Sequence, residues 1–519
     1  MTFRQLLKRV VPVDAHTQAR FDIGIRVLFY MTCANVLVLF FVQGGYDVEL
    51  GPLHLHAYSL RKWLLLCFAF ALSKTWLEGR RAGIPASEWI QSPLLLFLAA
   101  VCLYYSNGRV FESADTLPAR FLPVSLLRDH DFYLDEFSCI IDRYKNPYPV
   151  RRINNHLVST YPPWGAVLAL PVYLAPVLRG ATQLGQDVLF DLEKRAAVLI
   201  TALSVLILFF ALRRMTRPRV AWFIAVVYAF GTSSFSLSSQ AMWQHGPSQL
   251  FLTLTLYCLV RGAATPVFLA WSGLPLGLAV ICRPLNIVMA LPIAVYVAHK
   301  HRDQLIGFIL AGVPSLLLFL SYNAVYFGSP IQTGFGATVV SPASLVGKHL
   351  FWFSTPLAEG LAGALFSPAR GLFIYSPIFL CSLAGMVLVW RKPGRVLIKY
   401  LSLASLLLLI PVATLSNWWG GHCYGPRLLA DASPILCLML CPVFEEFDQK
   451  KWLKTVAIGL AVLSVVMHAI GVAGEITWNI DLIDFDKHPE RVWSWRESPP
   501  VLYGTQFFMQ ARQMFSELF

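Results

Sequence analysis

The sequence predicts an all-α protein that crosses a membrane many times. The chain has 519 residues, of which 56% are hydrophobic and only 14% are charged. Many of its apolar runs approach the roughly 20 residues that a helix needs to cross a bilayer. Lys and Arg cluster in short segments between these runs, as they do in the cytoplasmic loops of membrane proteins. This composition excludes a soluble enzyme and a disordered chain.

Hydropathy predicts about thirteen membrane helices. They cover residues 24–42, 63–76, 90–105, 195–212, 220–231, 247–260, 266–281, 285–297, 305–321, 371–390, 397–415, 428–444 and 452–472. One more apolar stretch, Trp164–Leu178, follows a Tyr-Pro-Pro segment. We expect it to form an interfacial helix, because the prolines favour a turn and aromatic residues prefer the headgroup level.

The basic clusters predict the orientation. They lie at residues 80–81, 213–219, 300–302, 391–395 and 450–454. Cytoplasmic loops of membrane proteins carry an excess of Lys and Arg. All five clusters face the cytoplasm only if the N-terminus is cytoplasmic, the C-terminus is outside and Trp164–Leu178 does not span. We therefore expect an integral membrane protein with its polar chemistry on the outer face.

This topology divides the chain into four parts. They are the N-terminal helices (1–105), a first outer loop with an acidic site and an interfacial helix (106–193), a transmembrane core (194–472) with outer loops 322–370 and 416–427, and an outer tail (473–519). The net charge of +13 is then explained by topology, and no nucleic acid partner is expected. The ten cysteines have neither a disulfide framework nor a zinc-site spacing.

Carboxylates are concentrated in the first outer loop. A single acidic residue there is usually solvated surface, but Asp115 follows the third predicted helix by only about ten residues. It is therefore held near the membrane surface, where a lipid-borne substrate would present its headgroup. Asp131, Asp135 and His156 lie farther along the loop and are candidates for binding an acceptor or a metal.

Two arginines end or begin predicted helices at the outer surface. Arg427 closes the segment Trp418-Trp419-Gly420-Gly421-His422-Cys423-Tyr424-Gly425-Pro426-Arg427, and Arg283 lies in a tight turn before Pro284. A guanidinium group suits phosphate because it donates two parallel charge-assisted hydrogen bonds. His422 and Tyr424 are further phosphate candidates. The alternatives are an interfacial aromatic belt with a snorkelling arginine for the 417–427 segment and, for Arg283, a structural ion pair with a loop carboxylate.

His245 lies in another outer turn, beside Trp243 and Gln244. An imidazole there could bind a phosphate, an acceptor or a metal, although a lone histidine more often has a structural role. The informative feature is that all of these turns are predicted to lie on the same face of the membrane.

Together, Asp115, the Tyr161-Pro162-Pro163 segment, the Trp243-Gln244-His245 turn, Arg283-Pro284 and the Trp-Gly-Gly to Gly-Pro-Arg segment resemble the polytopic glycosyltransferases of the C superfamily. The resemblance is to bacterial proteins grouped with the protein O-mannosyltransferases and the aminoarabinose transferase of lipid A. Three predicted helices precede the acidic loop here, where the simplest family pattern has one.

The resemblance implies a protein of a bacterial inner or cell membrane. It also implies transfer of a sugar from a polyprenyl-phosphate donor to an acceptor glycan, lipid or protein in the cell envelope. It implies that Asp115 is the catalytic base. A single displacement by the acceptor hydroxyl would then invert the anomeric centre. A divalent cation such as Mg²⁺ or Mn²⁺ could bridge carboxylate and phosphate, but the sequence does not require one. The alternatives are a transporter or flippase of lipid-linked sugars and a structural membrane subunit.

Overall fold

A computed structural model of the chain describes residues 15–41, 46–50, 53–57, 59–108, 113–143, 148–179, 185–334, 353–446, 450–474 and 484–505. The predicted cytoplasmic N-terminus at residues 1–14, the middle of the outer loop 322–370 and the chain end at 506–519 lie outside the described residues.

The predicted all-α membrane class is confirmed. Six of the described helices are long and apolar enough to cross a membrane, and several shorter apolar helices accompany them. The six candidate spans are Ile23–Phe41, Gln186–Leu212, Arg302–Phe327, Val396–Thr414, Arg427–Glu446 and Lys451–Ala473. The count of about thirteen crossings stays a prediction, because the remaining apolar helices are short.

Residues 1–106 form the first of two compact units. Its elements are α1 (Ala15–Phe41), β1 (Tyr46–Leu50), β2 (Leu53–Ala57), α2 (Leu60–Arg81), α3 (Ala86–Trp89) and α4 (Pro93–Tyr105). The strands pair as an antiparallel hairpin from Tyr46 with Ala57 to Leu50 with Leu53. Helix α2 packs on both α1 and α4.

Helix α2 is longer than the predicted 63–76 because charged residues extend it at its C-terminal end. The Glu78 carboxylate forms an ion pair with Lys74, one turn earlier, at 3.5 Å and another with Arg26 of α1 at 3.3 Å. Arg80 and Arg81 occupy the last turn, where positive charge is favourable to the helix dipole. Polar pairing therefore continues the helix beyond its apolar run.

Residues 107–519 form the second unit. Its helices are α5 (Leu117–Arg128), α6 (Ser138–Arg143), α7 (Trp164–Leu178), α8 (Gln186–Leu212), α9 (Pro218–Phe230), α10 (His245–Gly262), α11 (Val267–Trp271), α12 (Gly273–Cys282), α13 (Ile287–Lys300), α14 (Arg302–Phe327), α15 (Leu357–Phe366), α16 (Leu372–Tyr375), α17 (Phe379–Arg391), α18 (Val396–Thr414), α19 (Ser433–Leu438), α20 (Leu440–Glu446) and α21 (Lys451–Ala473). A second antiparallel hairpin joins β3 (Val150–Ile153) to β4 (His156–Ser159).

Three of the predicted helices are divided in the structure. The predicted 371–390 helix separates into α16 and α17 at Pro377, where Ser376 has φ −129° and ψ 68°. A residue before proline is pushed towards the extended region, so the helix ends there. The predicted 266–281 helix becomes α11 and α12, and the predicted 428–444 helix becomes a 3₁₀ turn followed by α19 and α20.

The predicted first outer loop contains the predicted helix Trp164–Leu178, with the same bounds, as α7. It packs against α5 and α8. Its position in the membrane interface stays a prediction. The hairpin before it was not predicted; it turns at Asn154 and Asn155, both with positive φ, which suits the turn of a two-residue hairpin.

The core of the second unit brings the ends of several elements together. Helix α8 packs along α10, α10 packs along α12, and α12 lies close to α14. A Cβ on Gly273 would lie 2.0 Å from the Phe308 carbonyl oxygen, so only glycine permits this approach of α12 and α14. The turns before α5, α7 and α10 and after α12 then surround one cavity.

Candidate active site

The cavity has a volume of about 420 Å³ and collects residues from distant parts of the chain. Its lining consists of Asp115, Tyr161, Trp243, Gln244, His245, Arg283, Pro284, Leu285, Phe353, Leu415, Asn417, Gly420, Arg427 and Leu428. Four of the residues predicted from the sequence are therefore brought together: Asp115, His245, Arg283 and Arg427.

Asp115 is held by three partners. It lies in a 3₁₀ turn, Ala114–Thr116, in which Ser113 Oγ accepts the Asp115 backbone N–H at 3.3 Å. The Tyr161 hydroxyl donates to Oδ1 at 2.9 Å, and the Tyr148 hydroxyl also donates to Oδ1. Arg427 Nη1 pairs with Oδ2. The carboxylate side chain is only 10% exposed, so these contacts replace most of its hydration.

The environment keeps Asp115 ionised. Burial by itself opposes ionisation, but the Arg427 charge and the hydrogen bonds from Tyr148, Arg427 and Tyr161 outweigh it and lower the Asp115 pKa. The pKa of Tyr161 is raised, first by burial and then by the Asp115 charge. At neutral pH the site therefore contains a carboxylate with a protonated phenol donating to it.

Turns that contain glycine place Arg427 at the cavity. Gly420, Gly421 and Gly425 all have positive φ, at 75°, 66° and 77°. A Cβ on Gly425 would also lie 2.9 Å from the Tyr375 ring. The guanidinium of Arg427 lies 4.9 Å from the centre of the Trp243 ring, a cation–π arrangement.

Arg283 is fixed by a buried carboxylate. Its Nη1 pairs with Asp431 Oδ2, and its Nη2 donates to the Leu428 carbonyl at 3.1 Å. His245 Nδ1 lies 3.1 Å from the same Asp431 oxygen. Asp431 is fully buried, so it holds Arg283 and His245 in position from behind the cavity. Arg283 is thus in a structural ion pair, but its partner Asp431 belongs to the predicted helix 428–444 and not to a loop, as the alternative had it.

Asp431 was missed by the sequence analysis, although a signal was available. It is an acidic residue inside the predicted apolar helix 428–444. Ionisable residues within membrane segments usually face a polar cavity or a charged partner. The missed residue is therefore of a kind that sequence alone can identify.

A second buried ion pair supports the turn that carries Asp115. Arg120 of α5 pairs with Glu193 of α8 at 2.6 Å, and its guanidinium lies 3.7 Å from the centre of the Phe190 ring. The other Glu193 oxygen accepts the Met242 backbone N–H at 3.0 Å. Glu193 thereby ties the start of α5 to the segment before His245, and it too was missed.

Asp131, Asp135 and His156 form a separate group around the β3–β4 hairpin. Asp135 Oδ2 lies 2.5 Å from His156 Nδ1, and its Oδ1 accepts the Leu157 backbone N–H at 2.6 Å. Asp131 accepts the Tyr133 N–H at 2.8 Å. None of these three residues is among the described residues that line the cavity.

His422 and Tyr424 are also outside the described lining of the cavity. Tyr424 is fully buried, and its hydroxyl donates to the Met467 carbonyl at 2.6 Å. His422 lies 3.5 Å from Asp486 of the C-terminal tail. His422, Asp484 and Asp486 together form a group of possible metal ligands, whose ligand atoms lie within 4.8 Å of one another.

An apolar cleft of about 840 Å³ lies among α12, α13 and α14. Its lining is almost entirely hydrophobic and includes Leu276, Ile281, Leu291 and Phe308. Pro284 lines both this cleft and the polar cavity. The two spaces therefore adjoin at the Arg283-Pro284 turn.

Residues 171–326 match the protein family described as dolichyl-phosphate-mannose-protein mannosyltransferase. No curated protein matches the chain. Among solved structures, the chain is similar to ArnT from Cupriavidus metallidurans bound to undecaprenyl phosphate, at 12% identity and a TM-score of 0.48, over 82% of this chain and 76% of that chain.

It is also similar to the oligosaccharyltransferase of Archaeoglobus fulgidus tethered with an acceptor peptide, at 13% identity and a TM-score of 0.41. That match covers 78% of this chain and 59% of the archaeal chain. The family match covers residues 171–326, less than a third of the chain, and over that range it agrees with the glycosyltransferase resemblance expected from the sequence.

Proposed function

We propose that this protein transfers a sugar from a polyprenyl-phosphate donor to an acceptor glycan, lipid or protein at the outer membrane face, with Asp115 as the general base. One observation carries the proposal: an ionised Asp115 and the guanidinium groups of Arg427 and Arg283 share one cavity. A base and phosphate-binding cations are the groups that displacement of a lipid phosphate requires.

Asp115 would accept the proton of the acceptor hydroxyl as that oxygen attacks the anomeric carbon. The bond from the sugar to the lipid phosphate breaks in the same displacement, which inverts the anomeric centre. The low pKa of Asp115 in the free protein makes it a weak base. A phosphate oxygen that draws Arg427 towards itself would raise this pKa and strengthen the base when donor is bound.

The cavity offers unused donors for a phosphate. Arg427 Nε and Gln244 Nε2 are buried, and neither has a hydrogen-bond partner among the described residues. Both residues line the cavity. A buried donor without a partner costs about 1–3 kcal/mol, so a phosphate that satisfied these two would gain affinity. Arg283, held by Asp431, would add positive charge close to the leaving group.

The adjoining cleft suits the lipid portion of the donor. Its hydrophobic lining would accept prenyl units, and its contact with the cavity at Pro284 would bring the attached phosphate towards Arg427. The matching family is described as using dolichyl-phosphate-mannose, which is a donor of the same chemical class.

The direct test measures sugar transfer by the purified protein in lipid nanodiscs. The donors are undecaprenyl phosphates carrying different radiolabelled sugars, and a membrane extract supplies the acceptors. We expect transfer by the wild type and a loss of roughly 10²- to 10⁴-fold in Asp115→Asn, the usual contribution of a general base. The control is Asp142→Asn, which removes an exposed carboxylate of the same loop.

Near-normal transfer by Asp115→Asn would overturn the base assignment. If the wild type transfers no sugar but moves the labelled lipid across a liposome bilayer, the transporter alternative is favoured. Asp131→Asn and Asp135→Asn should change the acceptor or metal requirement before they abolish turnover.

A further inference from the structure

Two distant segments bring three possible metal ligands together outside the cavity. His422 belongs to the 417–427 loop, while Asp484 and Asp486 belong to the tail. Their ligand atoms all lie within 4.8 Å of one another. An imidazole with two carboxylates is a ligand set for a first-row divalent cation, particularly Zn²⁺ or Mn²⁺.

The spacing of His422 and Asp486 fits an intervening ion. The distance from His422 Nε2 to Asp486 Oδ2 is 3.5 Å, longer than an ordinary hydrogen bond. Two ligands bound to Zn²⁺ at about 2.1 Å in tetrahedral geometry stand about 3.4 Å apart. The two atoms therefore already have the separation that a shared metal ion would impose.

Arg370 fixes the two segments that carry the ligands. It is 3% exposed, and its Nε and Nη2 donate to the carbonyls of Trp419 and Gly421, each at 2.9 Å. Its guanidinium also lies 4.8 Å from the centre of the ring of Phe485, the residue between Asp484 and Asp486 in the sequence. This buried side chain thus joins the loop to the tail next to all three ligands.

The orientation of Asp486 is set by an outer contact. Trp419 Nε1 donates to Asp486 Oδ1 at 2.8 Å, which leaves Oδ2 directed at His422. Metal-binding carboxylates are commonly oriented by such a second hydrogen bond. Lys487 Nζ lies 2.9 Å from Asp484 Oδ2, but its side chain is 76% exposed and can leave for solvent when a cation binds.

We propose that His422, Asp484 and Asp486 bind one divalent transition-metal ion, Zn²⁺ or Mn²⁺, with water completing its coordination. The ion joins the C-terminal tail to the loop that supplies Asn417, Gly420 and Arg427 to the cavity. Its role is structural, and the site does not depend on the reaction proposed above.

The test is equilibrium dialysis of the purified full chain against ⁶⁵Zn²⁺, with Mn²⁺ titration followed by electron paramagnetic resonance as a second arm. The protein carries a purification tag without histidine. We expect one ion per chain in at least one arm, and binding lost in both His422→Ala and Asp486→Asn. Trp419→Phe should weaken binding by about 10- to 100-fold, because it removes only the orienting hydrogen bond.

His488→Ala and Glu490→Gln are the matched controls, since they change an exposed His–Glu pair of the same tail with 3.4 Å between its atoms. Each variant is first checked for a monodisperse peak and an unchanged melting temperature without metal. The proposal is overturned if neither ion binds, or if His422→Ala and Asp486→Asn bind as the wild type does. Sugar transfer is not measured, so failure here leaves the proposed function untouched.

Discussion

At the residue scale, the pair between Asp115 and Arg427 couples the proposed base to the proposed phosphate ligand. Each side chain satisfies the other in the free protein, so neither is an isolated buried charge. Removal of either one leaves its partner in a low-dielectric site without its counter-charge. The effect of a substitution on activity therefore has to be separated from its effect on the remaining partner.

The first residue-scale prediction concerns donor affinity. Arg427→Ala should weaken the binding of undecaprenyl phosphate by about 10- to 150-fold, because a charge-assisted hydrogen bond contributes about 1.5–3 kcal/mol. Arg427→Lys should restore binding only partly, since an ammonium lacks the planar fork. Titration of the protein with undecaprenyl phosphate in nanodiscs measures both. Equal affinity of the wild type and Arg427→Ala would exclude a phosphate role.

The second prediction concerns pH. Because the Asp115 pKa is lowered by the Arg427 charge and by its hydrogen bonds, the acid limb that this group gives to kcat/KM for the donor should lie at lower pH than an ordinary carboxylate would give. Activity dependent on the charged base is lost only as the pH falls through that lowered pKa. In Arg427→Gln the opposing charge is gone and burial dominates, so the pKa should rise.

The measurement is the pH profile of kcat/KM, normalised for each protein so that a lower rate does not obscure its shape. An acid limb that moves to higher pH in Arg427→Gln supports the coupling. Identical profiles in the two proteins would contradict it.

At the element scale, α5 is tied to α8 by a buried ion pair. Arg120 and Glu193 are both almost completely buried, and Glu193 also holds the Met242 backbone. Breaking such a pair costs about 3–5 kcal/mol, because an uncompensated charge remains inside the protein. Glu193→Gln should therefore lower the melting temperature clearly, although the amide can still accept the Met242 N–H.

The control for this prediction is the double variant Arg120→Met with Glu193→Gln. It removes both charges together, keeps the acceptor of the Met242 N–H and should recover much of the lost stability, since no uncompensated charge remains inside the protein. Thermal unfolding in detergent compares the single and double variants. A Glu193→Gln protein as stable as the wild type would show that the pair contributes little.

Element boundaries show which local signals were sufficient. Helix α7 has the predicted bounds because prolines precede it and its apolar run is continuous. The predicted 371–390 helix was wrong as one element, since the Pro377 signal was outweighed by hydropathy. The β3–β4 hairpin was missed because its strands have four residues each, too few for a periodic pattern.

At the scale of the whole molecule, topology can be tested with a cysteine that the protein already contains. Cys139 is exposed and lies in the first predicted outer loop. A membrane-impermeant maleimide should label it in intact cells, and Cys139→Ser should abolish that labelling. Pro393→Cys in the Cys139→Ser protein, in a basic loop predicted to be cytoplasmic, should react only after permeabilisation.

Labelling of Cys139 only after permeabilisation would contradict the predicted orientation. It would also move the cavity to the cytoplasmic side and remove the basis for an outer-face reaction. The prediction thus tests the location of the proposed chemistry together with the basic-cluster argument.

The sequence by itself determined the membrane class, most apolar segments, and four residues of the cavity. Hydropathy and charge are local properties, because bilayer thickness fixes helix length and backbone hydrogen bonds must be satisfied within each segment. Asp115, Arg283 and Arg427 were found because charged residues near helix ends at a membrane surface are few and costly.

Only the tertiary structure decided which of these residues are partners. Asp115 and Arg427 are 312 positions apart, and Arg283 and Asp431 are 148 apart, so no local pattern relates them. It likewise directed His422 towards the tail, away from the cavity lining, and brought Glu193 behind α5. Such pairings depend on how helices pack and on where buried charges find counter-charges, which are properties of the folded chain as a whole.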